Sequence, residues 1–308
     1  MTMLNSPQGG MHPDDKRNLL IFFALCLGAF LLYDVFVHQP KMKALEEAQR
    51  VRAEAIASGE LVEETPAVPL SREDALDTNV ARIKIENPDL SGSLSARGGR
   101  IDDLALKQYF KTVDKKDPVT LLSPARTEHP LFIDFGWLAS GGADIRLPSA
   151  DTNWRASATT LSKDSPVTLR WSNGAGLTFT REYSLDEHYM FTVKQSVTNT
   201  GRAPVALHPY ASLTRQGLPE DFKPIAVLHE GPIGYFDGSL EEVKYKDLNK
   251  KPKQEFPAQT GWAGFSDKYW FTGLVPAKGE GQTFRIKKSG NDEKPVYQIN
   301  ATGDALIW

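Results

Sequence analysis

From Asn79 onward, apolar and polar residues alternate. Ala81, Ile83 and Ile85 alternate with Arg82, Lys84 and Glu86; Leu177, Phe179, Arg181 and Tyr183 alternate with Thr178, Thr180 and Glu182; Tyr189, Phe191, Val193 and Val197 share one face of a third run. A period of two sends successive side chains to opposite faces of a pleated strand, so each run predicts a strand with one buried face. Further strands are predicted at 119–122, 131–137, 167–172, 205–215, 225–228, 262–265, 269–275 and 283–287. Asn87-Pro88, Ser172-Asn173-Gly174, Asn199-Thr200-Gly201 and Pro276 punctuate them. In this part of the chain only Leu240 to Leu248 reads as a helix, with Leu240, Val243 and Leu248 at helical spacing. Many short strands with turns at this spacing predict a mainly β domain, a large antiparallel sandwich with few helices.

The residues before this domain follow other patterns. Leu19 to Val37 form an apolar run of 19 residues that is uncharged until Asp34. As a helix it would be roughly 29 Å long, close to the hydrocarbon thickness of a bilayer, and Tyr33 suits the interface. His38-Gln39-Pro40-Lys41 makes a poor signal-peptide cleavage site, and Leu25 before Cys26 makes a poor lipoprotein site, so an uncleaved anchor is expected. Lys41 to Ser58 reads as a solvated helical stalk, with Glu46 and Arg50 spaced for a surface pair. Residues 60–77 are acidic, contain Pro66 and Pro69, and read as a flexible linker. The chain thus divides into an N-terminal segment 1–18, a transmembrane anchor 19–37, a stalk and linker 38–78 and a β domain 79–308. Lys16 and Arg17 precede the anchor, while Lys41, Lys43, Arg50 and Arg52 follow it, so charge alone leaves the orientation open. The apolar end, Ala305-Leu306-Ile307-Trp308, reads as the interior of a longer protein and a truncated domain end.

Charge and chemistry narrow the function. A net charge of −3 over 308 residues lacks the basic footprint of a nucleic-acid binder. The one cysteine, Cys26, lies in the apolar run, so the β domain can form neither an internal disulfide nor a cysteine-based zinc site. There is no phosphate-binding glycine loop, nucleophile elbow or metal-binding histidine pair. Gly98-Gly99 fits a turn with positive φ between two strands better than a phosphate cradle. His12, His38, His129, His188, His208 and His229 are scattered, without a partner at motif spacing. Asp186, Glu187 and Asp221 read as turn residues. Trp262, Phe265, Tyr269, Trp270 and Phe271 could stack on a sugar or peptide, but their spacing favours two core strands joined by Ser266-Asp267-Lys268. No catalytic, cofactor-binding or metal-binding residue is assigned.

Four pieces carry a family resemblance. They are Lys16-Arg17-Asn18-Leu19-Leu20; Ser95 to Ile101 followed by Leu104, Leu106, Lys107 and Tyr109; Phe179 to Gly201; and Gly261 to Phe271. In this order they resemble the N-terminal half of the YidC/Oxa/Albino family of membrane protein insertases. The resemblance implies a cytoplasmic N-terminus, one helix through the bacterial inner membrane and a large periplasmic domain. It also implies a super-sandwich similar to galactose mutarotases. The implied role is a non-enzymatic insertase and chaperone without cofactor. Its partners would be nascent inner-membrane proteins, Sec translocon subunits and the lipid bilayer. The five further membrane helices that form the family's insertase core would lie beyond residue 308. Two other readings stay open. One is a sugar-binding or mutarotase-like domain, a warrant from fold alone. The other is a scaffold that takes an extended peptide in a groove or at a sheet edge.

Overall fold

The computed structural model describes residues 69–76, 80–140, 145–223, 228–277 and 281–308. They belong to one of the chain's two compact units, the one spanning Pro66–Trp308. The expected anchor lies outside the described residues, among which no helix is long and apolar enough to cross a membrane.

A four-residue helix, α1 (Arg72–Ala75), opens the described chain, and the Ser71 side chain accepts from the Asp74 N–H at its start. Five strands follow: β1 (Arg82–Glu86), β2 (Leu90–Ser95), β3 (Ile101–Phe110), β4 (Pro118–Leu122) and β5 (Leu131–Ala139). Next come β6 (Arg155–Ala156), β7 (Thr160–Leu161), β8 (Val167–Ser172), β9 (Leu177–Leu185) and β10 (Phe191–Asn199). The last nine are β11 (Ala206–Gln216), β12 (Gly231–Phe236), β13 (Ser239–Glu242), β14 (Lys253–Ala258), β15 (Gly261–Ser266), β16 (Phe271–Leu274), β17 (Gln282–Ser289), β18 (Val296–Gly303) and β19 (Leu306–Ile307).

These strands make one 11-stranded sheet, ordered β14-β17-β18-β11-β5-β3-β2-β1-β7 with β4 on β3 and β19 on β11. Two four-stranded sheets accompany it, β10-β9-β8-β6 and β13-β12-β15-β16. Register shows where the small sheets lie. Phe135 of β5 faces Ala211 of β11, Leu213 faces Ile299 of β18, and Ile299 faces Ile286 of β17, so these side chains share one face. Phe135 meets Tyr183 of β9 edge-on at 6.1 Å, and Phe284 of β17 meets Phe236 of β12 at 4.9 Å. Both small sheets therefore cover the same face, side by side, and the molecule is a sandwich of one broad layer and two narrow ones. Phe179, Tyr183, Phe265 and Phe284 are wholly buried between the layers. Each such side chain contributes roughly 1.5–3 kcal/mol by leaving water.

β5 pairs with β3 only at Ile133 and Ile101. Past that point it runs beside the Gly98-Gly99 turn, where carbonyls lose their ladder partners. Side chains of the small sheet supply the donors. Arg181 donates to the carbonyls of Gly98 and Phe135, the Tyr183 hydroxyl to Gly99 (2.7 Å) and Gln195 to Gly136 (2.9 Å). The two glycines have φ of 72° and 69°, as the turn reading expects.

The predicted helix at Leu240 to Leu248 is not formed. Leu240 belongs to β13, which forms a hairpin with β12 through Asp237 and Gly238, both at positive φ. Only Asp247–Asn249 makes a short 3-10 turn. Val243, Tyr245 and Leu248 are buried because the chain dives into the core after β13, while Leu240 stays exposed. Helical spacing arose here without a helix. Of the strand predicted at 225–228, residues 225–227 lie outside the described residues. The strand predicted at 269–275 is shorter, because Asp267 to Trp270 closes a turn (N–H to O=C 2.8 Å) before β16 begins. At the end of the expected linker, Arg72 of α1 forms an ion pair with Asp103 of β3, and the Leu70 N–H donates to the Arg126 carbonyl at 2.9 Å.

Candidate functional site

The narrow sheets leave a groove between them. Its floor comes from the broad sheet, with Leu104 and Leu106 of β3, Ile133 of β5 and Ala211 of β11. β10 forms one wall; Trp270, β16 and the residues following it form the other. The cavity measures ≈ 760 Å³. Among the described residues Lys194 is the only Lys, Arg, Asp or Glu lining it. At its rim Tyr109, Tyr189, Met190, Phe271 and Val275 are exposed to between 46% and 63%, an unusual concentration of wet apolar surface for one region.

The aromatic segment that the sequence assigns to two core strands divides in the structure. Phe265 is wholly buried in β15. Tyr269 is 72% exposed and Phe271 48% exposed, which corrects the core reading for these two. Phe271 sits edge-on to Trp262 (5.1 Å), and Trp270 edge-on to Tyr109 across the groove mouth (4.9 Å). The alternation signal missed this because β16 is an outer strand whose first residue, Phe271, lines the groove and stays half-exposed.

A smaller cleft of ≈ 320 Å³ lies on the opposite face of the broad sheet. It is polar, with Ser212, Gln298, Asn300 and Thr302 beside Tyr210. The Tyr210 ring lies across Gly136, where any Cβ would come within 2.5 Å of it. Burial pushes the Tyr210 hydroxyl above the usual tyrosine range. The Arg100 guanidinium grips Asp134 at the cleft with two bonds of 2.8 and 3.0 Å. Nearby on this face Asp102 is paired with Arg82, yet burial raises its carboxyl above the ordinary value.

The histidines of the domain are separate structural donors and acceptors. His129 bonds the Leu218 carbonyl (3.1 Å), His208 that of Gly303 (3.0 Å) and His229 that of Pro232 (3.0 Å), while His188 meets the Asp89 carboxylate (2.9 Å). The structure does not bring them together; His12 and His38 lie outside the described residues. Asp186 accepts from the N–H groups of His188 and Met190, as a turn residue does, and Glu187 pairs with Lys163. Among the described residues no three His, Cys, Asp or Glu side chains gather as a metal ion would need.

A sandwich with a groove that is largely apolar and lined, among the described residues, by a single charged side chain has the architecture of a binding or scaffolding module. Residues 82–307 match the family model of the YidC periplasmic domain. The membrane protein insertase YidC of Bradyrhizobium diazoefficiens is 37% identical over 286 residues, covering 85% of this chain and 46% of the relative. That of a Jannaschia species is 39% identical over 315 residues (94% and 49%), and that of a Ruegeria species 45% over 223 residues (68% and 36%). The chain belongs to the YidC family of membrane protein insertases. It spans about half the length of the relatives it matches. The names of these relatives speak of membrane protein insertion and none of sugar binding.

Proposed function

We propose that this chain is the anchor and periplasmic domain of an insertase that assists the insertion, folding and assembly of inner-membrane proteins, alone and with the Sec translocon. The match of residues 82–307 to the YidC periplasmic domain carries this reading. In it, residues 19–37 cross the inner membrane with the N-terminus in the cytoplasm, and residues 79–308 stand in the periplasm as a super-sandwich of the mutarotase kind. The domain does no covalent chemistry. Insertion itself belongs to a membrane core absent from this chain, since a polar path within the bilayer is what lowers the cost of moving polar segments through hydrocarbon. The apolar groove suits a scaffold that meets polypeptide outside the bilayer.

Three measurements in a Gram-negative host test this. The chain should remain in membranes after carbonate washing, and protease added to spheroplasts should degrade the domain. The full-length protein should restore growth when the host's own insertase is depleted, whereas the 308-residue chain should not. A chain that washes off, a domain shielded from protease, or a full-length protein that fails to restore growth would overturn the reading.

A further inference from the structure

Asp102 and Asp103 are consecutive carboxylates of β3, and both are buried. Ser93 of β2 faces Asp103 while Leu94 faces Ile101, so Asp102 is the extra residue of a bulge. A bulge sets two residues against one and re-aims the side chains around it. Arg82 of β1 pairs with Asp102 and donates from Nε to the Ser93 hydroxyl at 2.8 Å; that hydroxyl donates to Asp103 at 2.6 Å. The cation that meets Asp103 comes from α1. Arg72 approaches one carboxylate oxygen with both Nε (2.7 Å) and Nη2. The Asp103 side chain is 6% exposed and that of Arg72 33%. Beside this pair the Leu70 N–H reaches the Arg126 carbonyl, and Ala75 is buried. Residues 69–76 precede the stretch 82–307 that matches the family's domain model, so the domain offers a buried carboxylate to an arginine from outside it.

We infer that α1 is a clasp: the end of the linker docks through Arg72 on the Asp103 site, fixes where the chain leaves the domain, and opens without unfolding the sandwich. Four residues are too few to hold a helix alone, so α1 persists only while docked. The two partners part on unequal terms. Arg72 is already partly in water, but its departure leaves Asp103 a buried charge without its cation, a costly state that favours the closed clasp. Opening adds the residues between Leu70 and Arg82 to the free linker, up to roughly 40 Å when extended. That gain in reach rests on the proposed anchor, under which the residues before Leu70 lead to the bilayer; the docking itself does not.

The test uses the full chain in nanodiscs. In the unaltered protein the amides of Leu70 and Ala75 should exchange at least tenfold faster than those of β9, because the clasp opens on its own. Arg72→Gln should speed Leu70 and Ala75 at least a further tenfold and leave β9 and β17 unchanged. Asp103→Asn should act alike, and the double variant should add less than twofold to either. Trypsin should cut after Arg72 at least tenfold faster in Asp103→Asn than in the unaltered chain, with cleavage after Arg52 unchanged. Exchange at Leu70 and Ala75 as slow as in β9 would make α1 a fixed part of the core and overturn the inference. So would Arg72→Gln leaving these amides unchanged or speeding β9 in step, or two substitutions whose effects multiply independently. Because the first measurement uses the unaltered chain and Arg72 lies outside the matched domain, misfolding of Asp103→Asn cannot decide the outcome. Carbonate washing is measured separately, so a failed clasp leaves the anchor reading to its own test.

Discussion

Arg181 donates from Nη1 to the Gly98 carbonyl at 2.6 Å, so a cation on the narrow sheet closes a turn of the broad one. Its guanidinium also bonds the Phe135 carbonyl and lies against the Trp154 and Trp137 rings at 4.5 and 5.3 Å. Arg181→Met should leave two buried carbonyls unpaired and cost about 3 kcal/mol. For a domain of this size that is a fall of roughly 6–12 °C in Tm, checked by calorimetry. Arg181→Lys should rescue little, because one ammonium cannot span both carbonyls or stack flat on indole.

Gly99 tests the same junction from the other side. A Cβ there would meet Arg181 Nη1 at 2.6 Å, and its φ of 69° already disfavours other residues. Gly99→Ala should cost more than about 2 kcal/mol, exceeding the backbone penalty alone. Gly174 has a similar φ of 75° but open space around it, so Gly174→Ala should cost only about 1 kcal/mol. Urea unfolding of both variants measures the difference.

His188 gives the fold a pH dependence. Its hydrogen bond to Asp89 raises the imidazole pKa above its ordinary value, and the charges of Asp89, Asp186 and Glu187 add to this. A raised folded value means the pairing stabilises fully below the unfolded pKa of about 6.5 and fades as pH rises through the folded value. An NMR titration should find His188 titrating higher than a free histidine, and Asp89→Asn should bring it down.

Arg215 of β11 is nearly buried and donates to both carboxylate oxygens of Asp267, at 2.9 and 2.7 Å. The pair fixes the β15–β16 hairpin to a central strand of the broad sheet, and Phe265 lies against the same guanidinium at 5.1 Å. Asp267→Ala strands a buried cation and should cost about 3 kcal/mol. Amide exchange in β16 should rise more than in β10, because the hairpin loses its tether.

Much of this was legible in the residues. Period-two runs located β1, β9 and β10, and Gly98-Gly99 announced its turn, because alternation and positive φ are local properties. The grouping of strands into one broad and two narrow sheets was not legible, since β11 pairs with β5 and β18 across long stretches of chain. Leu240, Val243 and Leu248 misled because burial after a hairpin can imitate helical spacing. Asp237-Gly238 was the signal that would have prevented the error, being a common two-residue hairpin turn. The groove was invisible for a different reason. Its walls come from β10 and β16, and the exposure of Tyr269 and Phe271 depends on what the fold leaves uncovered.

The position of β18 bears on how the molecule is made. This late strand sits between β17 and β11, inside the broad sheet. A ribosome must add the residues from Gln216 to Gly303 before β11 gains its second neighbour, which at typical elongation rates takes roughly 4–17 s. During that interval the early strands wait with a long unsatisfied border, so synthesis rather than chain diffusion sets the earliest moment at which the sheet can close.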